Sequence, residues 1–97
     1  MNVDEKYKKV LLDIVAQHLP VCKVYLFGSR ARGTQRSGSD IDLALDAYKK
    51  IDDVIIMNIK EAIDASLVPF FVDIIDLHDV SQDFKDFITK DLIVWKN

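Results

Sequence analysis

The chain has 97 residues, of which 49% are hydrophobic and 30% are charged, and its formal net charge is −3 at pH 7. This length suits one small domain over residues 1–97, because a second core would need roughly a hundred further residues. The composition excludes a disordered chain, and the negative charge argues against direct binding to nucleic acid. No uncharged run approaches the ~20 residues of a transmembrane helix, and the single Cys22 excludes an internal disulfide. We therefore expect a cytoplasmic protein that does not enter membranes.

Apolar periodicity predicts three main helices and three strands. The first helix, over residues 4–19, has apolar side chains three and four residues apart and is stopped by Pro20. The following elements are a strand over 21–27, a polar glycine-rich loop or short helix over 28–39, a strand over 41–45, a helix over 51–67, a strand over 70–75 and a helix that begins near Asp79 and Gln82. The apolar tail over 92–95 fits either a last helical turn or a short edge strand.

The order of these elements predicts the fold class. Strands that alternate with helices favour a sheet with helices packed against it. The link between the first two strands is short, so these strands can be antiparallel. A full helix joins the second strand to the third and favours a parallel, right-handed crossover. We therefore predict an α/β (α+β) protein with a three-stranded mixed sheet flanked by helices.

Glycine and arginine are concentrated in one window. All three glycines and all three arginines lie between residues 28 and 38. Gly28 and Ser29 leave the first strand and open a short helix, where free backbone N–H groups and a hydroxyl can bind phosphate. Because the Gly-Ser pair is common, an ordinary surface loop with Ser29 as a helix N-cap is the simpler interpretation of this pair alone.

Aspartates interrupt or flank the second and third strands. Asp40 and Asp42 are two residues apart, so their side chains leave the same face and repel each other unless a cation lies between them. Mg²⁺ suits such a pair, since it binds one or two carboxylates together with substrate phosphates. Asp73 adds a third carboxylate within an otherwise apolar strand. Asp40 alone would also fit a turn or cap, and we expect Asp76, at the end of the third strand, to be a solvated acid.

Together these residues indicate a site that holds a nucleoside triphosphate through metal ions. The chain lacks the Gly-Lys-Ser/Thr of a P-loop and the G-x-G-x-x-G of a dinucleotide-binding domain. The segments FGSRARG, over 27–33, and SDIDL, over 39–43, resemble the signature of the nucleotidyltransferase superfamily that includes DNA polymerase β and kanamycin nucleotidyltransferase. Ten residues separate Ser29 from Asp40, which is similar to the spacing in the minimal nucleotidyltransferases, the MNT proteins.

This resemblance implies the polymerase β-like fold and a nucleotide-binding role for four residues. Gly28 and Ser29 would hold the terminal phosphates of ATP. Arg30 or Arg32 would offset the phosphate charge, although an arginine on a helix flank is equally well explained as a solvated side chain.

The same resemblance assigns the catalytic metal ligands. Asp40 and Asp42 would bind two Mg²⁺ ions, and Asp73 would help to bind the catalytic metal and to activate the acceptor hydroxyl. The implied reaction is a two-metal, in-line displacement in which pyrophosphate leaves the nucleotide.

The resemblance also implies a partner. In the MNT family a separate helical HEPN protein, often a ribonuclease toxin, takes the place of the further domain that larger relatives carry. Family members act as its antitoxin, and some transfer AMP from ATP to a tyrosine of that protein. We therefore expect a protein adenylyltransferase in a hetero-oligomer with a HEPN-domain protein. Residues 54–59 are more apolar than one buried stripe requires, which fits either a deeply covered helix or a partner surface.

Two alternatives use the same residues. In the first, the chain is a non-catalytic nucleotide-binding module that neutralises or assists its partner by direct binding. In the second, it is a subunit that completes a small-molecule or RNA nucleotidyltransferase. The three aspartates favour an enzyme, because a module that only binds has little need for carboxylates that repel one another.

Overall fold

The computed structural model describes residues 3–97 of the chain. Its elements in chain order are α1 (Glu5–His18), β1 (Lys23–Phe27), α2 (Ser29–Arg32), β2 (Ile41–Asp46), α3 (Asp53–Asp64), β3 (Val72–Asp76), α4 (Gln82–Thr89) and β4 (Ile93–Lys96). Within this described part, no helix combines the length and the apolar character needed to cross a bilayer.

One mixed sheet contains the strands in the order β3-β2-β1-β4. β1 and β2 are antiparallel and β2 and β3 are parallel, so both predicted pairings are confirmed. The prediction of three strands is corrected to four, because the apolar tail forms β4, antiparallel to β1. A run of four residues is too short for its sequence to separate a strand from a last helical turn. The tail forms a strand because the edge of β1 that does not pair with β2 has N–H and C=O groups to which β4 can hydrogen-bond.

Two helices differ from the prediction at their ends. α3 ends before residue 67, because the hydroxyl of Ser66 donates a hydrogen bond to the carbonyl of Ile63 and closes a turn. α4 begins after Ser81 rather than at the predicted pair of polar residues. The Ser81 hydroxyl caps this helix by accepting a hydrogen bond from the N–H of Phe84 over 3.1 Å.

The alternation of side chains along the strands gives the sheet two different faces. The face packed against α1 and α3, here called the core face, carries the fully buried side chains of Ile41, Leu43 and Leu45. The opposite face, here called the site face, carries Asp42, Ala44 and Asp46 of the same strand.

α4 covers part of the site face. Ile88 of this helix packs with Phe27, Ala44 and Leu77 in a small second core. The ring of Phe84 meets the ring of Phe27 edge to face, with the ring centroids 6.3 Å apart. This second core extends along the site face from Phe27, the register partner of Asp42, to Leu77, which follows β3.

Candidate active site

The parallel pairing of β2 and β3 brings two of the predicted acids side by side. Asp42 and Asp73 are register partners, so their half-buried side chains leave the site face next to each other. Asp40 lies one residue before β2 and is exposed. The structure therefore gathers the three predicted acids at one end of the site face.

The charges of these acids act on one another. Burial, together with the neighbouring carboxylates of Asp73 and Asp40, raises the pKa of Asp42 above its ordinary value of 3.8. The positive charges of Arg32 and Arg30 lower this pKa, but burial and the two acids outweigh them. The folded chain alone therefore stabilises the ionised form of Asp42 less than water does, and a bound cation would offset that cost.

Gly28 brings the end of β1 against the same carboxylate. Its φ of 76° and ψ of −157° form a conformation that residues with a side chain rarely adopt. A Cβ atom at this position would collide with the carboxylate of Asp42. The backbone that leads into α2 can therefore lie directly against the acid only because residue 28 is glycine.

Ser29 begins the single turn of α2 beside this close approach. The first N–H groups of a helix have no hydrogen-bond partner within the helix, so the turn at Gly28 and Ser29 presents donors of the kind that phosphate accepts. Arg32 lies at the other end of the turn and is exposed, and its charge reaches Asp42. The predicted phosphate-binding turn and the predicted acids are thus neighbours.

Arg30 has a role that sequence reasoning did not assign. Its side chain is buried, and its Nε and Nη2 donate hydrogen bonds to the carbonyl of Ser39 over 3.1 and 2.7 Å. Nε also donates to the carbonyl of Asp40 over 3.3 Å, and the guanidinium lies 4.6 Å from the centre of the Phe70 ring. Arg30 therefore fixes the backbone that positions Asp40.

The donor chemistry at this end of the sheet fits Mg²⁺. Across residues 3–97, no three His, Cys, Asp or Glu side chains are gathered closely enough to hold a metal ion by themselves. Mg²⁺ does not need such a cage, because it usually keeps several waters and binds one or two carboxylates together with substrate phosphates. Asp42 and Asp73 offer two adjacent carboxylates of the required kind. The phosphates of a nucleotide would complete the coordination.

A family model described as "Polymerase beta, Nucleotidyltransferase" matches residues 9–97. The chain belongs to this family. The resemblance that the sequence motifs indicated is therefore confirmed, and so are the enzyme class and the α+β fold with a mixed sheet.

Two relatives of this nucleotidyltransferase domain are named for protein adenylylation. The chain is 31% identical over 94 residues to "Probable protein adenylyltransferase MntA" of Haemophilus influenzae, a match that covers 97% of this chain and 82% of that protein. It is 32% identical over 72 residues to "Protein adenylyltransferase MntA" of Shewanella oneidensis. The second match covers 73% of this chain and 51% of that protein.

Two of the solved structures that are similar to the domain come from toxin–antitoxin complexes. A chain in the crystal structure of a toxin–antitoxin with AMP-PNP superposes with a TM-score of 0.77 at 26% identity, covering 91% of this chain and 71% of that one. A chain in the structure of the tri-AMPylated Shewanella oneidensis HEPN toxin in complex with MNT antitoxin gives a TM-score of 0.74. The latter match, at 21% identity over 98% of this chain and 71% of that one, supports the fold alone.

Sequence reasoning missed a second group of acids in this nucleotidyltransferase domain, at the opposite end of β2 and β3. The expectation that Asp76 is solvated is wrong, because its side chain is buried. Its carboxylate accepts hydrogen bonds from the N–H groups of Ile51, over 2.7 Å, and His78, over 2.9 Å. Alternation could have revealed this burial, since Val72, Ile74 and residue 76 share the core face.

Asp46 lies at the same end of the domain, in the last position of β2. Its carboxylate accepts a hydrogen bond from the N–H of Tyr48 over 2.9 Å and contacts the Nε2 of His78 at 2.7 Å. Burial alone would raise the pKa of Asp46, but these two contacts outweigh it and hold the pKa below its ordinary value of 3.8. Asp46 and Asp76 therefore tie together the loops that follow β2 and β3.

Proposed function

We propose that this chain is an Mg²⁺-dependent protein adenylyltransferase that transfers AMP from ATP to a tyrosine of a HEPN-type toxin and so acts as its antitoxin. The observation that carries the proposal is the register pairing of Asp42 with Asp73 beside Gly28. The names of the two relatives support the reaction, and the similar toxin–antitoxin structure with AMP-PNP supports an adenine nucleotide.

The terminal phosphates of ATP bind at the end of β1. Gly28 and Ser29 supply backbone N–H groups and a hydroxyl, and the missing side chain at residue 28 lets the phosphates come close to Asp42. Arg32, exposed on α2, offsets phosphate charge. Arg30 acts by fixing the backbone at Asp40 and by adding positive charge near the site.

Asp40, Asp42 and Asp73 would hold two Mg²⁺ ions together with the phosphates of the nucleotide. When bound, Mg²⁺ neutralises phosphate charge and lowers the pKa of the acceptor hydroxyl. The raised pKa of Asp42 supports this assignment, because a carboxylate that is destabilised by its acidic neighbours gains most from a cation. Asp73 takes the proton of the acceptor hydroxyl.

The transfer exchanges one phosphorus–oxygen bond for another. The tyrosine oxygen forms a bond to the α-phosphorus of ATP as the bond between that phosphorus and the bridging oxygen of the β-phosphate breaks. Pyrophosphate leaves with the electron pair of the broken bond, and the hydroxyl proton passes through Asp73 to water. The products are tyrosine-O-AMP and pyrophosphate.

A protein partner also suits the surface of α3. Val54 and Met57 are 62% and 53% exposed, whereas Ile59 of the same helix is fully buried. The surplus of apolar residues over 54–59 is thus partly on the surface, where a HEPN-type protein can cover it in a hetero-oligomer. We place this complex in the cytoplasm, where ATP is present and the buried Cys22 stays reduced.

The test is transfer to the partner from ATP labelled on the α-phosphate. The chain and its HEPN-type partner, incubated with Mg²⁺ and labelled ATP, should yield a labelled partner whose mass has grown by one or more AMP units. Label on the γ-phosphate should not be retained. A partner that stays unlabelled in a confirmed complex, with Mg²⁺ and ATP in excess, would refute the proposal.

The alternative is a module that neutralises its partner by binding alone. The exposed apolar side chains on α3 favour it, because they provide a contact surface that is independent of the acids. The double variant Asp40→Ala/Asp42→Ala separates the two functions. If this variant neutralises the partner as well as the unsubstituted chain does, binding is sufficient, and if neutralisation is lost while the complex still forms, transfer is required.

A further inference from the structure

The candidate site has a direction across the sheet. Its phosphate-binding turn, Gly28 and Ser29, lies at the end of β1, Asp42 lies on β2 and Asp73 lies on β3, and these strands are consecutive neighbours. In an in-line displacement the entering oxygen and the leaving pyrophosphate are on opposite sides of the α-phosphorus. With pyrophosphate held on the β1 side, the acceptor enters from the β3 side.

Phe71 stands at the head of β3 on this entry side. Its carbonyl accepts a hydrogen bond from the N–H of Ile41 over 2.9 Å, a bond that belongs to the parallel pairing of Ile41 with Val72 and holds Phe71 alongside the start of β2. That register places Phe71 next to Asp40. Val72 is buried on the core face, and alternation therefore directs Phe71 to the site face, two residues before Asp73.

The two adjacent phenylalanines have different surroundings. Phe70 packs edge to face against Tyr7, with ring centroids 5.9 Å apart, and lies under the guanidinium of Arg30. Phe71 is 66% exposed. Phe70 thus contributes to packing, whereas most of the Phe71 surface is exposed, at the end of β3 that also carries Asp73.

An exposed aromatic ring beside acids suits one kind of acceptor. A tyrosine presents a ring that can pack against phenylalanine and a hydroxyl that extends beyond the ring by the length of one bond. Serine and threonine have a hydroxyl but no ring for this contact. A ring packed on Phe71 would direct its hydroxyl along the site face toward Asp73 and the α-phosphorus.

We propose that Phe71 is a positioning residue that packs against the ring of the acceptor tyrosine and selects an aromatic hydroxyl as the group that is adenylylated. This inference rests on the function proposed above and adds the residue that recognises the acceptor. A nucleobase stacked on Phe71 is the competing use of the same ring, and the two uses differ in which substrate responds to its removal.

The experiment measures single-turnover transfer in the preformed complex with the HEPN-type partner. Phe71→Ala should lower the rate of the first AMP transfer at saturating ATP about tenfold, the effect of losing one aromatic contact. The ATP concentration that gives half of the maximal rate should change less than about twofold, because the ring does not contact ATP. Phe71→Tyr keeps the ring and should restore the rate.

Phe87 provides the matched control, since it is also a phenylalanine and is 63% exposed, on α4. Phe87→Ala should leave the rate within the preformed complex unchanged. Urea unfolding shows whether each variant is folded. If Phe71→Ala is not folded, Phe71→Leu, which also lacks the aromatic ring, is measured in its place.

Three results would overturn the inference. They are an unchanged transfer rate in Phe71→Ala, an equal fall in Phe87→Ala, and a fall in Phe71→Ala that excess ATP restores, which would assign the ring to the nucleobase. If the unsubstituted complex transferred no AMP, the proposed function would fail and this inference with it. Normal transfer by both the unsubstituted complex and Phe71→Ala would remove the inference alone.

Discussion

The two ends of the β2–β3 pair hold acids in opposite environments. At one end Asp42 and Asp73 lie side by side, and burial together with neighbouring carboxylates raises the pKa of Asp42. At the other end Asp76 accepts hydrogen bonds from two backbone N–H groups, and contacts from Tyr48 and His78 lower the pKa of Asp46. The same two strands thus carry one set of acids whose charge Arg30 and Arg32 compensate only in part, and another whose charge is compensated by hydrogen bonds within the fold.

Under the proposed function, this difference separates acids that bind a ligand from acids that support the fold. A carboxylate that accepts backbone N–H groups has its charge compensated by the fold itself. Carboxylates that face one another reduce stability until a cation arrives, so a fold retains them when the cation is part of the function. The contrast predicts that substitutions at the two ends affect different properties.

The largest effect is expected for Asp42→Asn, which should lower AMP transfer about a thousandfold, because metal stabilisation of the transition state is worth several kcal/mol. The free energy of unfolding should not fall at pH 7. A raised pKa in the folded state means that stability is full below the ordinary value of 3.8 and is lost as pH rises through the folded pKa, and asparagine avoids that loss. Transfer assays and urea unfolding on one preparation check both parts. A variant that was inactive because it was unfolded would contradict this account.

Asp76→Ala should have the opposite profile. It leaves the N–H groups of Ile51 and His78 without their acceptor in a buried site, which should lower the free energy of unfolding by about 3 kcal/mol. Transfer per folded molecule should be retained. Asp76→Asn is the matched control, since its amide oxygen can still accept, and it should be less destabilising. Urea unfolding at pH 7 measures both, and equal losses in the two variants would exclude the hydrogen bonds as the cause.

Gly28→Ala tests the close approach between the backbone at Gly28 and the carboxylate of Asp42. The added Cβ collides with Asp42 and the backbone conformation disfavours a side chain, so the free energy of unfolding should fall by about 2 kcal/mol and transfer should fall with it. Gly33→Ala is the control, because Gly33 has the same φ of 76° but no neighbouring atom within 4 Å of an added Cβ. It should cost about 1 kcal/mol and leave transfer intact. Equal effects on transfer would show that contact with Asp42 is unimportant.

The smallest effect is expected in the pH dependence of stability, at the end of the β2–β3 pair that carries Asp46 and Asp76. Because the pKa of Asp46 is lowered by folding, its stabilisation is present above 3.8 and is lost as pH falls through the folded pKa. Asp46→Asn should therefore lower the free energy of unfolding by about 1 kcal/mol at pH 7, and the difference should shrink in acid. Asp79→Asn breaks only an exposed ion pair with Lys50 at 3.9 Å and should change stability by less than about 0.5 kcal/mol. Urea unfolding at pH 7 and pH 3 gives the comparison, and a difference that grew in acid would reverse the assigned sign.

The sequence predicted the positions of Asp42 and Asp73 better than those of Asp46 and Asp76. Asp42 and Asp73 interrupt apolar strands, and an interruption of a period-two pattern is visible without any knowledge of partners. Alternation along β3 could have indicated that Asp76 is buried, but the N–H of Ile51 that compensates its charge lies 25 residues away, and no local pattern indicates that contact. β4 likewise depends on the free edge of a strand about seventy residues earlier.

Arg30 shows the same limit from another side. The cluster of arginines near the Gly-Ser pair pointed to phosphate, and that interpretation rested on residue type and position in the chain. The interior position of Arg30 follows from the path of the loop that returns to Ser39 and Asp40, a path that depends on tertiary structure. The sequence identified the segment that contains the site, but it could not show which arginine is available to a ligand and which one supports the backbone.

The hydrogen bonds of the Arg30 guanidinium affect which changes the loop between Gly33 and Gly38 can tolerate. The guanidinium joins the first turn of α2 directly to the carbonyls of Ser39 and Asp40, so the segment between Gly33 and Gly38 is not needed to hold those two parts together. Both of these glycines lie in open space, with no atom within 4 Å of an added Cβ. A change in the length of this loop should therefore leave the backbone position of Asp40 unaltered, because Arg30 holds that position from α2.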